Sequence, residues 1–314
     1  MQKILVSGSI AYDVLLGYDG SFADAITASG VEKLSVSFFS PHYSRHHGGT
    51  ASNIAWNLRL LGQDPLMVGT VGSDGGEYLE LLRDRKIDTR LIEVLPNHVT
   101  ATAIIGTDSA ERQIAFFHPG ADAHGTWKDI ADDREDIAYA IISPRNASLM
   151  MEAVRWCRQY KIPYVFDPGQ QIISLSRDEI LSSIRGSYSV IVNSYEWDLL
   201  QERTGRTPES VLKDAEALVI TRGEKGVELY TKEGHEVLKA CTPEKVLNPT
   251  GAGDAFRAGF LTGLLLKWSF SDCCKLGASM GSFVVEEQGT LLDRLDIDEV
   301  RNRAELAYGK PLPH

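Results

Sequence analysis

Cysteine is scarce in this chain: four residues in 314, Cys157, Cys241, Cys273 and Cys274, with no C-x-x-C pair and two of them adjacent. Adjacent cysteines are poor partners for one intrachain bridge, so neither a disulfide framework nor a thiolate metal site is expected; reduced thiols fit a cytoplasmic setting. Long apolar runs are missing as well. The longest, 260–266, is broken by Thr262 and Gly263 and is too short to span a bilayer. Residues 1–6 carry one lysine and a brief apolar run, which reads as a first strand and not as a targeting leader. Basic residues are outnumbered, 32 Lys and Arg against 43 Asp and Glu, for a formal charge of −11. That balance argues against nucleic acid or an anionic membrane as the main partner and leaves a small ligand. No G-x-x-x-x-G-K-[ST] occurs, so a Walker-type phosphate loop is excluded, and neither an internal repeat nor a low-complexity tract is found.

What is present is an alternation of short β-rich runs with helical patterns, the mark of a parallel sheet with helices on its faces, in a chain long enough for one large α/β domain or two smaller ones. Strands are predicted at 4–6, 138–142, 164–166, 190–192 and 219–221, and helices at 148–160, 194–204 and 271–287, the last with Ser271 as its N-cap. Ligands of open parallel sheets bind beyond the carboxyl ends of the strands. Here those ends carry Ser7, Gly8, Ser9 and Asp13, then Asp167, Gln170 and Gln171, then Asn193, then Thr221 and Gly223. Two segments break the rhythm, 14–47 and 99–117, the second reading as a hairpin of 99–105 and 113–117. They are expected to form a small separate sheet, serving as a water-excluding lid, an edge hairpin or a dimer surface.

Two glycine segments carry the chemistry. In the run from Asn248 to Phe256, Gly251 and Gly253 lead into an apolar helical pattern. Unpartnered N–H groups and the positive dipole end of that helix suit a developing phosphoryl charge. Asp254 would repel the same phosphate unless it takes a proton from an attacking hydroxyl, so it reads as a general base, or else as an acid that merely favours a helix start. In the second segment, His47 to Asn53, Gly48 and Gly49 would let a ligand ring approach the backbone. Asn53 offers a donor and an acceptor to a hydroxylated molecule, or a simple cap. Gly62 would stop the helix that follows.

Together these segments resemble the signatures of the ribokinase family, the PfkB carbohydrate kinases, over essentially the whole chain. The motifs come in family order: Gly48, Gly49 and Asn53; Asn193 with Glu196; Thr221, Gly223 and Gly226; then Gly251, Ala252, Gly253 and Asp254. One match would be weak; four in order are specific. The resemblance implies a single ribokinase-like domain over 1–314, a three-layer α/β/α sandwich with a mostly parallel central sheet and a small β-sheet lid from about 14–47 and 96–118. It implies ATP-dependent phosphorylation of a primary hydroxyl, with Asp254 as base and the N–H groups of residues 251–254 as anion hole. Asn193 and Glu196 look like the pair that organises Mg²⁺, through water, against a competing role in capping. Asn193, Thr221, Gly223 and Gly226 look like the nucleotide side, against an ordinary turn.

Residues 7–13, 33–38, 167–171, 193–200 and 253–260 are similar to the adenosine kinase branch of bacterial type. That resemblance implies that Asp13 and Asn53 bind the vicinal 2′ and 3′ hydroxyls of a ribose, placing its 5′ hydroxyl near Asp254. Such charge-assisted bonds contribute roughly 1.5–3 kcal/mol each, enough to reject a deoxy analogue. Ser9, Ser37, Gln170 and Gln171 would edge the base pocket, with Phe117 as a wall from the lid or as hairpin core. Two positions depart from the pattern. Ala103 stands where that branch has a stacking aromatic, which leaves Phe116 or Phe117 to compensate, or inosine, guanosine or cytidine as the substrate. Asn248 replaces an aspartate that in many relatives helps bind a monovalent cation, so K⁺ activation is an open expectation. Arg257 is read as a phosphate clamp, as the partner of a buried acid or as a snorkelling side chain, and His46 and His47 as loop polarity. A homodimer through the lid is implied by the resemblance. Rival readings are a sugar kinase acting on ribose or fructose, and a nucleoside-sensing protein without transfer.

Overall fold

The computed structural model describes residues 2–29, 35–128 and 130–313. Lys33 and Leu34, within the segment 33–38, lie outside the described residues. In chain order the first elements are β1 (Lys3–Ser7), β2 (Ala11–Gly17), α1 (Phe22–Ser29), β3 (His42–Gly48), α2 (Thr50–Leu60), β4 (Asp64–Gly72), α3 (Gly76–Asp84), β5 (Ile92–Leu95), β6 (Ala101–Thr107) and β7 (Gln113–His118). There follow β8 (Ile137–Ile142), α4 (Ala147–Gln159), β9 (Tyr164–Phe166), α5 (Arg177–Ile184), β10 (Ser189–Asn193), α6 (Ser194–Thr204), α7 (Pro208–Val211), β11 (Ala217–Thr221), β12 (Val227–Thr231) and β13 (Gly234–Leu238). The chain closes with α8 (Ala252–Leu265), α9 (Phe270–Val284) and α10 (Ile297–Tyr308).

The large sheet has the order β13-β12-β11-β10-β9-β8-β1-β4-β5, parallel from β5 to β11 and antiparallel at the β12 and β13 edge. Its inner strands are unbroken apolar runs because both faces are covered. Alternate residues feed two cores. Ile4, Val6, Ile141, Val165, Ile191 and Val219 meet α2, α3, α8 and α9. Leu5, Ile142, Phe166, Val192 and Ile220 meet α4, α5 and α6. The expected three-layer α/β/α sandwich with a mostly parallel sheet is thus what forms. No helix among the described residues is long and apolar enough to cross a membrane.

The small sheet has the order β3-β2-β6-β7, with β2 and β6 parallel and the outer pairs antiparallel. It draws on residues 11–17, 42–48, 101–107 and 113–118. Only residues 8–10 separate β1 from β2, so the first strand of the large sheet leads directly into the small one. Cross-strand partners share a face. His46, Asp13, Ala103 and Phe117 therefore form one row across this sheet, while Arg45, Val14, Ile104 and Phe116 form a row on the opposite face.

The helix starts follow local chemistry. Asn193 and Glu196 form a reciprocal capping box on α6, and Ser176 and Glu179 do the same on α5. The predicted cap at Ser271 is replaced by Ser269, whose hydroxyl accepts from the Asp272 N–H and opens α9 at Phe270. Gly62 follows α2 with a positive φ of 76° and its N–H bonded to the Arg59 carbonyl.

Candidate active site

Helix α8 begins at Gly251, whose φ of 86° is the left-handed conformation that favours glycine. No side chain caps its first turn. The Ala252 N–H turns back to the Pro249 carbonyl at 3.3 Å, so of the expected anion-hole amides that one is already engaged. Asp254 is the third residue of this helix. It is half-buried, and its carboxylate accepts a 2.7 Å hydrogen bond from Asn53 Nδ2. Burial pushes its pKa up to about 7, against the opposing pull of Arg257 and the Asn53 hydrogen bond. A carboxylate so placed can accept a hydroxyl proton near neutrality, beside amides suited to phosphoryl charge.

Arg257, one turn further along α8, is buried and forked onto Asp167, Nε to Oδ2 and Nη2 to Oδ1 at 2.5 Å each. Ser143 donates to the same Asp167 Oδ2 at 2.8 Å, and Arg257 Nη1 donates to the Gly253 carbonyl at 3.0 Å. Of the three readings of Arg257, pairing with a buried acid is the one that forms. Burial raises the Glu196 pKa, with Arg257 opposing and Asp167 adding to the rise.

A cavity of about 560 Å³ opens beside the start of α8. Asn193, Thr221, Gly223 and Gly226 line it from the ends of β10 and β11; Pro249, Ala252, Gly253 and Phe256 line it from the glycine turn. Cys241, Val246, Ala278 and Val285 give it an apolar wall that the sequence reading missed, since these residues look like ordinary loop and helix positions. Glu196 lies behind Asn193, whose N–H it accepts at 2.8 Å while the Asn193 Oδ1 accepts the Glu196 N–H at 2.9 Å. Both residues are therefore in the capping arrangement, and of the two Asn193 is the one that lines the cavity. Among the described residues no group of three or more His, Cys, Asp or Glu is arranged to hold a metal ion. That donor set fits Mg²⁺ held by one carboxylate, waters and phosphate oxygens, and not a closed protein cage.

The other half of the site hangs from the joint between the sheets. Gly49 has a φ of 92°, and a Cβ there would lie 2.6 Å from both the Ala11 nitrogen and the Ser9 carbonyl oxygen. Ser9 caps α2: its Oγ accepts from the Thr50 N–H at 3.2 Å and its carbonyl from the Ala51 N–H at 3.0 Å. Asn53 is 4% exposed, with Oδ1 held by Thr290 and one amide hydrogen left for a ligand. Burial pushes the Asp13 pKa up to about 6, with His46 opposing. Gln170 is exposed and Gln171 half-buried in a 3₁₀ turn after β9, and Ser37 is exposed before β3. Phe117 is 57% exposed, so it is not hairpin core. Asn248 donates Nδ2 to the Gln288 carbonyl at 2.8 Å and accepts the Thr250 N–H at 2.9 Å.

This fold and this chemistry define a class, the phosphotransferases that take an alcohol as acceptor. The chain belongs to the pfkB family carbohydrate kinases, whose family model matches residues 1–296. A solved nucleoside kinase from Burkholderia thailandensis in complex with inosine is similar to it with a TM-score of 0.89 and 33% identity, covering 99% of this chain and 100% of that one. The nucleoside kinase of Methanocaldococcus jannaschii is 27% identical over 308 residues, 97% of each chain, and its structure gives a TM-score of 0.88. An ATP-dependent 6-phosphofructokinase from Thermoanaerobacterium thermosaccharolyticum is 25% identical over 84% of this chain and 86% of its own. The architecture is ribokinase-like.

Proposed function

We propose that this protein is an ATP-dependent nucleoside kinase that transfers the γ-phosphoryl group to the 5′ hydroxyl of a ribonucleoside, with adenosine as substrate and AMP as product. The observation that carries the reading is the half-buried Asp254 carboxylate, raised toward neutrality and hydrogen-bonded to Asn53 at the uncapped start of α8. Asp254 takes the 5′ proton, while the amides of the glycine turn other than that of Ala252 receive the phosphoryl charge in line with it. ATP lies in the 560 Å³ cavity between the glycine turn and Asn193, Thr221, Gly223 and Gly226. Glu196 and Asn193 would hold Mg²⁺ through water, and the ion would supply neutralisation of phosphate charge there.

On the acceptor side, Asp13 and Asn53 bind the ribose diol, with Gly48 and Gly49 against the ring. Ala103 lies between Asp13 and Phe117 in one cross-strand row, so its small side chain leaves room for a base that stacks on the exposed Phe117 ring. Ser37, Gln170 and Gln171 edge the base, and Ser9 supports the joint. Tyr43, Ile104 and Phe116, exposed on the outward face of the same sheet, support a homodimer through the lid. Inosine is the second reading, because the Burkholderia relative was solved with it.

The test is ATP- and Mg²⁺-dependent transfer across adenosine, inosine, guanosine, cytidine, ribose and fructose, with and without K⁺. Adenosine is expected to lead in kcat/KM, and preference for ribose or fructose would overturn the nucleoside assignment. Gly48→Ala probes the acceptor side alone, since a methyl there would sit 2.2 Å from Asp13 Oδ2. Displacing that carboxylate is expected to raise the nucleoside KM by roughly 10- to 100-fold with little change in the ATP KM. Equal increases in both constants would separate Asp13 from nucleoside binding.

A further inference from the structure

Thr290, only 3% exposed, touches three parts of the site at once. Its hydroxyl is 3.0 Å from the His47 carbonyl, next to the end of β3, and 3.0 Å from Asn53 Oδ1 on α2. Its Cβ and Cγ2 lie 3.0 and 3.1 Å from where a Cβ on Gly251 would be, so it also backs the glycine turn. The segment that carries it, between α9 and α10, shows neither helical nor strand periodicity.

The consequence falls on Asn53. A primary amide presents an acceptor at one end and donors at the other, and a donor on one side decides which way it faces. The Thr290 hydroxyl fixes Oδ1 on its own side, which turns Nδ2 to Asp254 Oδ2 at 2.7 Å. The flipped amide would set an oxygen against the carboxylate and leave the hydroxyl of Thr290 facing an NH₂ group. One hydroxyl proton between two acceptors also means that a shift of the His47 carbonyl changes how fully Asn53 is held.

We propose that Thr290 is a positioning residue for phosphoryl transfer, fixing the Asn53 amide with its N–H toward Asp254 and tying that contact to the seat of β3. The inference rests on Asp254 being the base. The other groups that bear on Asp254 are Arg257 on its own helix, Asp167 after β9, Asp13 on β2 and Tyr78 on α3. None of these is hydrogen-bonded to Thr290, whose hydroxyl faces His47 and Asn53, so removing that hydroxyl perturbs the Asn53 arm by itself.

Thr290→Val keeps the shape and removes the hydroxyl, whereas Thr290→Ser keeps the hydroxyl and removes the methyl. Ionisation of Asp254 is followed in the ligand-free protein by ¹³C-carboxyl NMR, with the signal assigned by its loss in Asp254→Asn, and kcat is followed against pH. In Thr290→Val the Asp254 transition is expected to rise by about one pH unit, the size of one lost charge-assisted hydrogen bond, and the acid limb of kcat to move with it. Thr290→Ser is expected to titrate as the wild type does. An unmoved transition in Thr290→Val, or an equal move in both variants, overturns the proposal. If Thr290→Val does not fold, Thr290→Ala compared with Thr290→Ser poses the same question about the hydroxyl. The NMR arm needs no turnover, so a wild type that phosphorylates no nucleoside refutes the function proposed above, while an unmoved titration refutes only the role of Thr290.

Discussion

Asp254→Asn is expected to lower kcat by roughly 10²–10⁴-fold, to leave both KM values largely intact, and to raise Tm at pH above neutrality. The kinetic loss follows from removing the proton acceptor while keeping the hydrogen bond, since the Asn oxygen can still accept from Asn53 Nδ2. Wild-type kcat is expected to show the matching pH dependence. With the pKa at about 7, the carboxylate is present above that value and activity is expected to fall as pH drops through it. Asp13, at about 6, titrates below that, so the nucleoside KM is expected to rise at more acidic pH than the value at which kcat begins to fall.

Stability runs the other way. The folded pKa of Asp254 is raised from 3.8, so the fold favours the protonated form. That contribution is fully present below the ordinary carboxylate pKa and is lost as pH rises through about 7. At alkaline pH the ionised, half-buried carboxylate destabilises the fold by roughly 4 kcal/mol at most, and the neutral amide relieves it. Thermal melts of both proteins at two pH values check this: a Tm gain of several degrees for Asp254→Asn at alkaline pH, shrinking under acid, is the expected pattern. Wild-type turnover by the variant would remove Asp254 from the mechanism.

Asp167→Asn is expected to cost about 3–5 kcal/mol, because it leaves the Arg257 guanidinium buried without its counter-charge. For a chain of this size that is a Tm loss of roughly 10 °C. Ser143 would lose its charged acceptor at the same time. Arg257→Lys is not expected to be a mild change, since an ammonium cannot reproduce the two-point fork. Replacing both partners, Asp167→Leu with Arg257→Met, should recover much of the melting temperature, as buried pairs exchanged for apolar side chains commonly do. It should not recover kcat, because Arg257 also bonds the Gly253 carbonyl and its positive charge opposes the rise of the Asp254 pKa. A single Asp167→Asn variant that melts within a degree of wild type would show that the pair contributes nothing to stability.

Composition and pattern carried the sequence reading a long way at the level of architecture. Strands at 138–142, 164–166, 190–192 and 219–221 were legible because parallel strands buried on both faces must be continuous apolar runs, and β8, β9, β10 and β11 are such runs. β4 was not read as a strand, because Pro65, Gly69, Thr70 and Gly72 interrupt its apolar run although the strand is almost wholly buried. The cap of α9 slipped from Ser271 to Ser269 because either serine offers the same chemistry. Only the backbone path decides which one meets the Asp272 N–H.

At the site, glycines in a fixed order marked where the backbone must turn, and Asp254, Asn53, Asn193 and Glu196 were singled out by their neighbours in the chain. What joins them could not be read in the same way. Asp167 and Arg257 are 90 positions apart, and Thr290 stands 237 positions from Asn53. Sequence by itself determined the alternation of elements, the glycine turns and the kinds of side chain at the strand ends, since backbone conformation and hydrophobic period are local properties. Tertiary structure alone decided which carboxylate is raised toward neutrality, which is paired with arginine and which way the Asn53 amide faces, because burial and hydrogen-bond partners are supplied by residues distant in the chain.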